Sequence, residues 1–216
     1  MNLFKKLAGQ TAIYGLPTIV GRLLNYLLVP LYTRVFAPAE YGVVTEIYAY
    51  VAFLFVVLTY GMETAFFRFS TTHPDKEKVY GTTLFSLFVT SIFFLVIIFS
   101  ATPTISSAMG YADNPEYIRW FALILAADAL SSIPYAQLRL KNKPIRFAII
   151  KVVNIVTNIA FNLLFIVIIP KIVKEDPGIA DSAFLKFLYN PEIGVGYIFI
   201  SNLIASALTF IMLVPS

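Results

Sequence analysis

Charged and amide side chains recur at helical spacing inside segments that are otherwise apolar. Two such stripes carry a full charge, Tyr14, Thr18, Arg22 and Asn25 in the first and Lys151, Asn154, Asn158 and Asn162 in the second. Steps of three and four residues place the members of each stripe on one face of a helix. A charge within a membrane helix is costly, and it usually faces a protein interior or a water-filled cavity. These stripes therefore predict an aqueous cavity that binds a polar solute.

Weaker stripes follow the same spacing: Asp128, Ser132 and Tyr135, then Asn202, Ser206 and Thr209, and finally Ser86 and Thr90. Serine, threonine and asparagine also hydrogen-bond one membrane helix to another. For the stripes of Ser86 and Asn202, helix packing and cavity lining explain the residues equally well. For the two stripes with a lysine or arginine, a cavity explains more, because a full charge is present in each.

Depth along the helices ranks the charged residues. At about 1.5 Å per residue, Arg22 and Asp128 both lie near the middle of a bilayer, counted from opposite sides. They are predicted either to form an intramembrane ion pair or together to flank a substrate, with a purely structural pair between two helices as the alternative. Asp128, Glu46 and Glu63 are the candidate carboxylates for coupling to a proton or cation, with Asp128 first by depth. Glu46 lies near the other surface, where it is predicted to pair with Arg34.

The sequence contains few of the residues that catalytic or metal sites typically use. The chain has no cysteine, which excludes thiolate metal sites. Its single histidine, His73, lies in a polar loop, which argues against histidine-based metal centres and Ser-His-Asp catalysis. His73, Asp75 and Glu77 form a loop cluster that has the pattern of ordinary solvated residues. No GxxxxGK[ST] loop occurs, so any energy is expected from an ion gradient, the membrane potential or the substrate gradient. We expect no enzyme activity, cofactor or metal.

The composition assigns these stripes to a membrane protein. Of the 216 residues, 59% are hydrophobic and 13% charged, whereas a soluble domain carries about a quarter charged residues. The net charge of +4 does not indicate a nucleic-acid partner, because the basic residues lie in short loops between apolar runs. The expected partner of most of the surface is the lipid bilayer.

Six segments are apolar over the roughly 20 residues that a bilayer requires of a helix. The predicted all-α fold has transmembrane helices at about 11–35, 41–67, 82–102, 117–138, 145–169 and 194–213. Pro103 is predicted to end the third helix, while Pro17, Pro30 and Pro134 lie inside helices. The chain ends directly after an apolar helix, so residues 1–216 are predicted to be one six-helix lobe, an N-terminal fragment of a larger transporter.

Basic residues predict the orientation, since cytoplasmic loops are rich in lysine and arginine. With the N-terminus in the cytoplasm, about nine such residues fall inside and about five outside. The cytoplasmic group is Lys5, Lys6, Arg68, Lys76, Lys78, Arg139, Lys141, Lys143 and Arg146. Aromatic residues near the other boundary are predicted to anchor at the interface; these are Tyr41, Tyr111, Tyr117, Trp120 and Tyr197.

The first 69 residues resemble bacterial polysaccharide (oligosaccharide-lipid) flippases of the multidrug/oligosaccharidyl-lipid/polysaccharide exporter superfamily. The matching pieces are Gly21-Arg22 with Asn25, Pro30-Leu31-Tyr32-Thr33-Arg34, the Pro38-x-Glu40-Tyr41-Gly42 turn, and Gly61-x-Glu63. Beyond Phe69 the resemblance lies in helix number and spacing.

This resemblance implies a transporter of two six-helix lobes that alternates between inward-open and outward-open states in the bacterial inner membrane. The implied substrate is an undecaprenyl-diphosphate-linked oligosaccharide for surface polysaccharide such as lipopolysaccharide O-antigen. Arg22 is the residue that fits the diphosphate, with Lys151 as a second candidate and Thr18, Asn25, Asn154 and Asn158 as further cavity residues. The implied partner is a C-terminal lobe or a second copy.

Two alternatives remain open. A cation-coupled drug antiporter of the same superfamily would favour an acidic cavity, against which Arg22 and Lys151 argue. A membrane enzyme acting on polyprenyl phosphates would require clustered carboxylates or histidines at a membrane face.

Overall fold

The computed structural model describes the backbone of residues 3–176, 178 and 182–214, with side chains from residue 15 onward except at 183, 184 and 186. Every regular element in these ranges is helical. The α-helices are α1 (Leu3–Val35), α2 (Pro38–Thr59), α3 (Met62–Thr72), α4 (Lys76–Ala108), α5 (Glu116–Leu140), α6 (Pro144–Leu163), α7 (Ile169–Glu175), α8 (Ala183–Leu188) and α9 (Gly196–Leu213).

Five helical stretches of the described chain are long and apolar enough to cross a membrane: Pro38–Thr72, Lys76–Ala108, Glu116–Leu140, Pro144–Glu175 and Gly196–Leu213. They correspond to the second to sixth predicted spans. The first predicted span forms a continuous helix, α1, of 33 residues, but α1 is not among the five. The chain is thus a multi-pass, all-helical membrane protein in the part described.

Helix α5 lies at the centre of the bundle and packs against α2, α3, α4, α6 and α9. Asp128 of α5 lies near Ser206 of α9, and Tyr117 of α5 packs beside Phe199 of α9, so α5 and α9 run parallel. Helix α6 runs the opposite way, since Asn154 reaches Thr209 while Arg146 reaches Met212. Arg139, Lys141, Lys143 and Arg146 consequently share one end of the bundle, which we call the basic end.

Helix α1 packs along α6 in parallel. The contact is close at Gly21, where an added Cβ would lie 2.7 Å from Cδ1 of Ile155. Farther along, Tyr32 of α1 reaches Asn162 of α6. This packing sets the direction in which the polar stripe of α1 faces.

Two predicted helix ends are wrong. The second predicted helix is broken at Tyr60 and Gly61, whose φ angles of 33° and 74° are left-handed, so α3 leaves α2 at a bend. Pro103 lies inside α4, which continues to Ala108. Proline is more frequent in membrane helices than in helices of soluble proteins, so it does not reliably mark a helix end.

The fifth predicted span also continues beyond its predicted end. It passes through one turn of π-helix at Leu164–Ile168 and then through α7 to Glu175. Pro170, which lacks an N–H donor, is the second residue after this turn.

The aromatic residues at the end opposite the basic end form part of the core. Tyr117 and Tyr197 are only 5% and 3% exposed, so the prediction that they anchor at the interface is wrong. Tyr197 stacks between Phe165 and Tyr189 at centroid distances of 4.7 and 5.1 Å. Packing between helices therefore explains these two tyrosines better than contact with lipid headgroups.

Candidate substrate cavity

A cavity of about 520 Å³ opens among α1, α2, α3, α5, α6 and α9. Its polar and charged lining residues are Thr18, Glu63, Asp128, Ser131, Ser132, Tyr135, Arg139, Lys151, Asn154, Asn202, Ser206 and Thr209. We call it the Lys151 cavity. The stripes predicted on Lys151, Asp128 and Asn202 thus meet in one space, although they come from three different helices.

Lys151 and Asp128 form the charged centre of this cavity. The Lys151 ammonium lies 4.3 Å from the centroid of the Tyr135 ring, a cation–π contact. Asp128 lies near Ser206 and within electrostatic reach of Lys151. The predicted ion pair between Asp128 and Arg22 is wrong, because the opposite charge facing Asp128 is Lys151. Depth placed Arg22 and Asp128 at one level, but the Arg22 side chain is exposed and makes no ion pair with a described residue.

A second cavity of about 360 Å³ lies farther from the basic end, and Asn25, Asn158, Tyr32, Tyr48 and Asn202 contribute its polar lining. Asn202 lines both cavities and donates to the Tyr48 hydroxyl at 2.7 Å. Asn158 donates to the Asn25 amide oxygen at 3.1 Å. Polar groups therefore continue from the Lys151 cavity toward the opposite end of the bundle.

Several members of the predicted stripes also join one helix to another. The Tyr32 hydroxyl donates to the Asn162 amide oxygen at 2.8 Å, and Asn162 is fully buried. Asn154 donates to Thr209, which links α6 to α9. Ser86 bonds the Tyr60 hydroxyl beside the bend between α2 and α3. Both interpretations of the stripes thus apply, cavity lining at Lys151 and helix packing at Asn162.

The chain matches the sequence model of a family described as polysaccharide biosynthesis protein over residues 31–172, about two thirds of its length. The chain belongs to this family. No curated protein and no solved structure matches it. The matched range includes the bend between α2 and α3, Asp128 and Lys151, which confirms at family level the resemblance carried by the first helices. A role in polysaccharide biosynthesis or export follows.

In this polysaccharide biosynthesis protein, Arg22 has a distinct position. Thr18 lines the Lys151 cavity and Asn25 the second cavity, and Arg22 lies between them on the same face of α1. Its side chain is exposed and makes no hydrogen bond or ion pair with the described residues. Tyr14 lies among the residues whose side chains are not described. The stripe of α1 thus borders both cavities with its charge turned to the open side of the bundle.

The other two candidate carboxylates have different surroundings. Glu63 lines the Lys151 cavity and pairs with Arg139 at 2.8 Å. Glu46 accepts a hydrogen bond from Tyr111, so the predicted pairing with Arg34 is wrong. Burial, followed by the hydrogen bond to Glu46, raises the pKa of Tyr111 to about 12. Asp128 is the candidate carboxylate that faces a lysine deep in the cavity.

The loop cluster at His73 is explained by local structure. Asp75 caps α4 by accepting the Lys78 N–H at 3.0 Å, and the Asp75 N–H donates to Nδ1 of His73 at 3.1 Å. Glu77 lies 3.9 Å from Lys141. The contacts of Asp75 cap the first turn of α4 and stabilise the turn before it, which is the ordinary role of an N-cap residue.

Arg139 is the site residue that sequence reasoning missed. It was assigned to the cytoplasmic charges, yet it lines the Lys151 cavity. The spacing held a signal, because Asp128, Ser132, Tyr135 and Arg139 follow one another at four, three and four residues on one face of α5.

A stability prediction separates packing from cavity roles. Replacing Tyr32 by phenylalanine removes the bond to Asn162 and should lower the free energy of unfolding by about 0.6 kcal/mol, and by at most about 1.7, the range for such bonds in membranes. Thermal unfolding in detergent would measure it. Tyr26→Phe on the same helix, at a tyrosine that is 71% exposed, is the control and should change nothing. Equal unfolding temperatures for the wild type and Tyr32→Phe would contradict a packing role.

Proposed function

We propose that this protein flips an undecaprenyl-diphosphate-linked oligosaccharide from the cytoplasmic to the outer leaflet of the bacterial inner membrane, by alternating access. The observation that carries the proposal is the cavity centred on Lys151, a charged space inside a bundle whose family serves polysaccharide biosynthesis. A diphosphate needs a cationic contact to cross the low-dielectric interior, and a saccharide needs polar groups along its path. Lys151, Arg139 and the asparagines around them supply both.

The exposed position of Arg22 supports a further lobe as partner. An arginine near the middle of a membrane helix is costly when it faces lipid. Arg22 turns away from the helices that α1 packs against and has large apolar neighbours, Ile19, Leu23 and Tyr26, that are also exposed. A second six-helix lobe, from the same chain or from a second copy, would cover this face and enclose Arg22 in a shared cavity. Six spans with a cytoplasmic N-terminus belong to the same proposal.

Ion coupling is assigned to Asp128 within this proposal. The chain contains no GxxxxGK[ST] loop, so a gradient rather than nucleotide hydrolysis is the expected energy source. Asp128 faces Lys151 and Ser206 inside the cavity, so a proton or cation that reaches it changes the charge of the substrate path. Glu63 is engaged by Arg139, and Glu46 lies outside the cavity with Tyr111.

The antiporter alternative rests on the same carboxylates. Among the charged residues that line the Lys151 cavity, Asp128 and Glu63 are balanced by Lys151 and Arg139. A cationic drug would meet these two cations with no excess of acid to attract it. The family match to polysaccharide biosynthesis favours the anionic glycolipid.

Export of surface polysaccharide tests the proposal through Arg22. In the full-length protein, Arg22→Ala should block export and leave the lipid-linked precursor in the cytoplasmic leaflet, while Arg22→Lys restores export in part because an ammonium lacks the planar fork. Surface polysaccharide, precursor level and membrane protein level would be measured together.

Arg34→Ala is the matched control, because Arg34 ends the same helix and lines neither cavity. Normal export by both Arg22 variants at normal protein level would show that Arg22 does not bind the diphosphate. Resistance to cationic drugs that depends on Asp128, without any defect in polysaccharide, would favour the antiporter instead.

A further inference from the structure

Arg139 is held in the Lys151 cavity by a single described hydrogen bond. Its Nη2 donates to Oε1 of Glu63 at 2.8 Å, and its guanidinium lies over the Phe67 ring at 5.4 Å from the centroid. Its Nε is buried and has no partner among the described residues. A guanidinium presents five N–H donors in a rigid fork, and buried donors in proteins are nearly always paired. Most of the binding capacity of Arg139 is therefore unused.

The partner of Arg139 is poorly placed to hold it permanently. Glu63 lies in the first turn of α3, directly after the left-handed pair Tyr60 and Gly61. The Arg139 and Glu63 side chains are 34% and 43% exposed, and both line the cavity. An accessible pair joined through one oxygen is weak, because water competes for both charges.

Arg139 and Lys151 belong to one electrostatic unit. Both line the same cavity, and they lie close enough for the positive charge of Arg139 to act on Lys151. Arg139 is in the last turn of α5 at the basic end, whereas Lys151 lies two turns into α6. An anion that enters from the basic end therefore meets Arg139 before Lys151.

We propose that Arg139 is the entry site for the phosphate groups of the substrate, and that Glu63 occupies it until a phosphate displaces the carboxylate. This inference rests on the proposed function for the nature of the anion. A diphosphate offers more oxygens and more charge than one carboxylate, so it can engage the guanidinium fork bidentately. The freed Glu63 then remains at the bend, and the phosphate moves on to Lys151.

Displacement of Glu63 from Arg139 by a phosphate predicts opposite effects on binding when each of these two residues is replaced. With purified full-length protein in phosphatidylcholine nanodiscs, the dissociation constant for geranylgeranyl diphosphate should rise at least tenfold in Arg139→Gln. It should fall severalfold in Glu63→Gln, because the competing carboxylate is gone. Arg139→Lys should lie between the wild type and Arg139→Gln.

Lys141→Gln is the matched control for loss of a positive charge. Lys141 lies two residues from Arg139 and is 3.9 Å from Glu77, but it does not line the Lys151 cavity. The dissociation constant of the Lys141→Gln variant for geranylgeranyl diphosphate should stay within twofold of the wild-type value. Thermal unfolding of every variant shows whether it is folded. The double variant Arg139→Gln/Glu63→Gln should bind as weakly as Arg139→Gln, since there is no longer a cation for the phosphate.

Each contrary outcome has a definite meaning. Weaker binding in a folded Glu63→Gln variant would show that the pair is structural and would overturn the exchange. Unchanged binding in Arg139→Gln, with loss in Lys151→Met, would overturn the entry site while leaving the proposed function intact. Equal binding of geranylgeraniol and geranylgeranyl diphosphate by the wild type would count against the proposed function itself.

Bilayer phospholipid is the other source of phosphate. The binding measurement is therefore repeated in nanodiscs in which about one fifth of the lipid is phosphatidylglycerol. If the wild type and Arg139→Gln then have the same dissociation constant for geranylgeranyl diphosphate, lipid headgroups occupy Arg139 and the inference fails. A difference that persists supports the polyprenyl diphosphate as the ligand.

Discussion

Replacing Lys151 by methionine should reduce polysaccharide export by about tenfold to about a hundredfold while the protein still reaches the membrane. A hydrogen bond to a charged group contributes about 1.5–3 kcal/mol, and that range corresponds to this loss. Lys151 is held over the Tyr135 ring beside Asp128, so its ammonium is already positioned for an anion. Methionine is an unbranched side chain of similar length to lysine, and it carries no charge. Precursor accumulation and surface polysaccharide, each divided by protein level, measure the effect.

Lys171→Met is the control for this prediction. Lys171 is also a lysine of the same continuous helical stretch, but it is 69% exposed, pairs with Glu175 and lines neither cavity. It should export normally. Normal export by Lys151→Met would mean that the phosphate does not pass this lysine.

Asp128 determines how Lys151→Met must be interpreted. Removing one member of an opposed pair of charges leaves the other uncompensated in a low-dielectric site, which destabilises the fold. If Lys151→Met lowers the amount of protein, the double variant Lys151→Met/Asp128→Asn should restore the amount but not export. Recovery of both by the double variant would assign Lys151 a structural role.

Helical periodicity predicted the polar faces correctly, because a period of 3.6 residues determines which side chains share a face. It could not predict which face of another helix lies opposite. Arg22 and Asp128 were assigned to each other from depth, whereas α1 packs on α6 at Gly21 with Arg22 exposed, and the opposite charge near Asp128 is Lys151. Position around a helix axis depends on packing, which a single sequence does not contain.

The bend between α2 and α3 and the role of Arg139 were missed for related reasons. Membrane helices tolerate glycine, so Gly61 alone did not indicate a break, and the left-handed φ of Tyr60 has no sequence signature. Basic residues near helix ends are used to predict orientation, so Arg139 was counted as a loop charge. Its place on the face of Asp128 and Tyr135 shows that one residue can satisfy both patterns.

Labelling with a membrane-impermeant thiol reagent should distinguish six spans from five without ambiguity. The chain has no cysteine, so each single replacement reports one position. Ala39→Cys and Lys174→Cys should react in intact spheroplasts, and Lys5→Cys and Lys141→Cys only after the membrane is permeabilised. The reason is that α1, like α6 beside it, would carry the chain from the basic end to the opposite side, and the excess of lysine and arginine predicts that the basic end faces the cytoplasm.

The pattern of reaction separates the ways in which this topology can fail. Reaction of Lys5→Cys in intact spheroplasts, with the other three as expected, would mean that α1 does not span and that Arg22 is not inside the membrane. Reversal of all four would mean that the basic end faces outward. In that case, Arg139 would be the exit of the phosphate path rather than its entrance, and the exchange with Glu63 would release the substrate. Labelling therefore determines the direction in which every proposed step of this cavity operates.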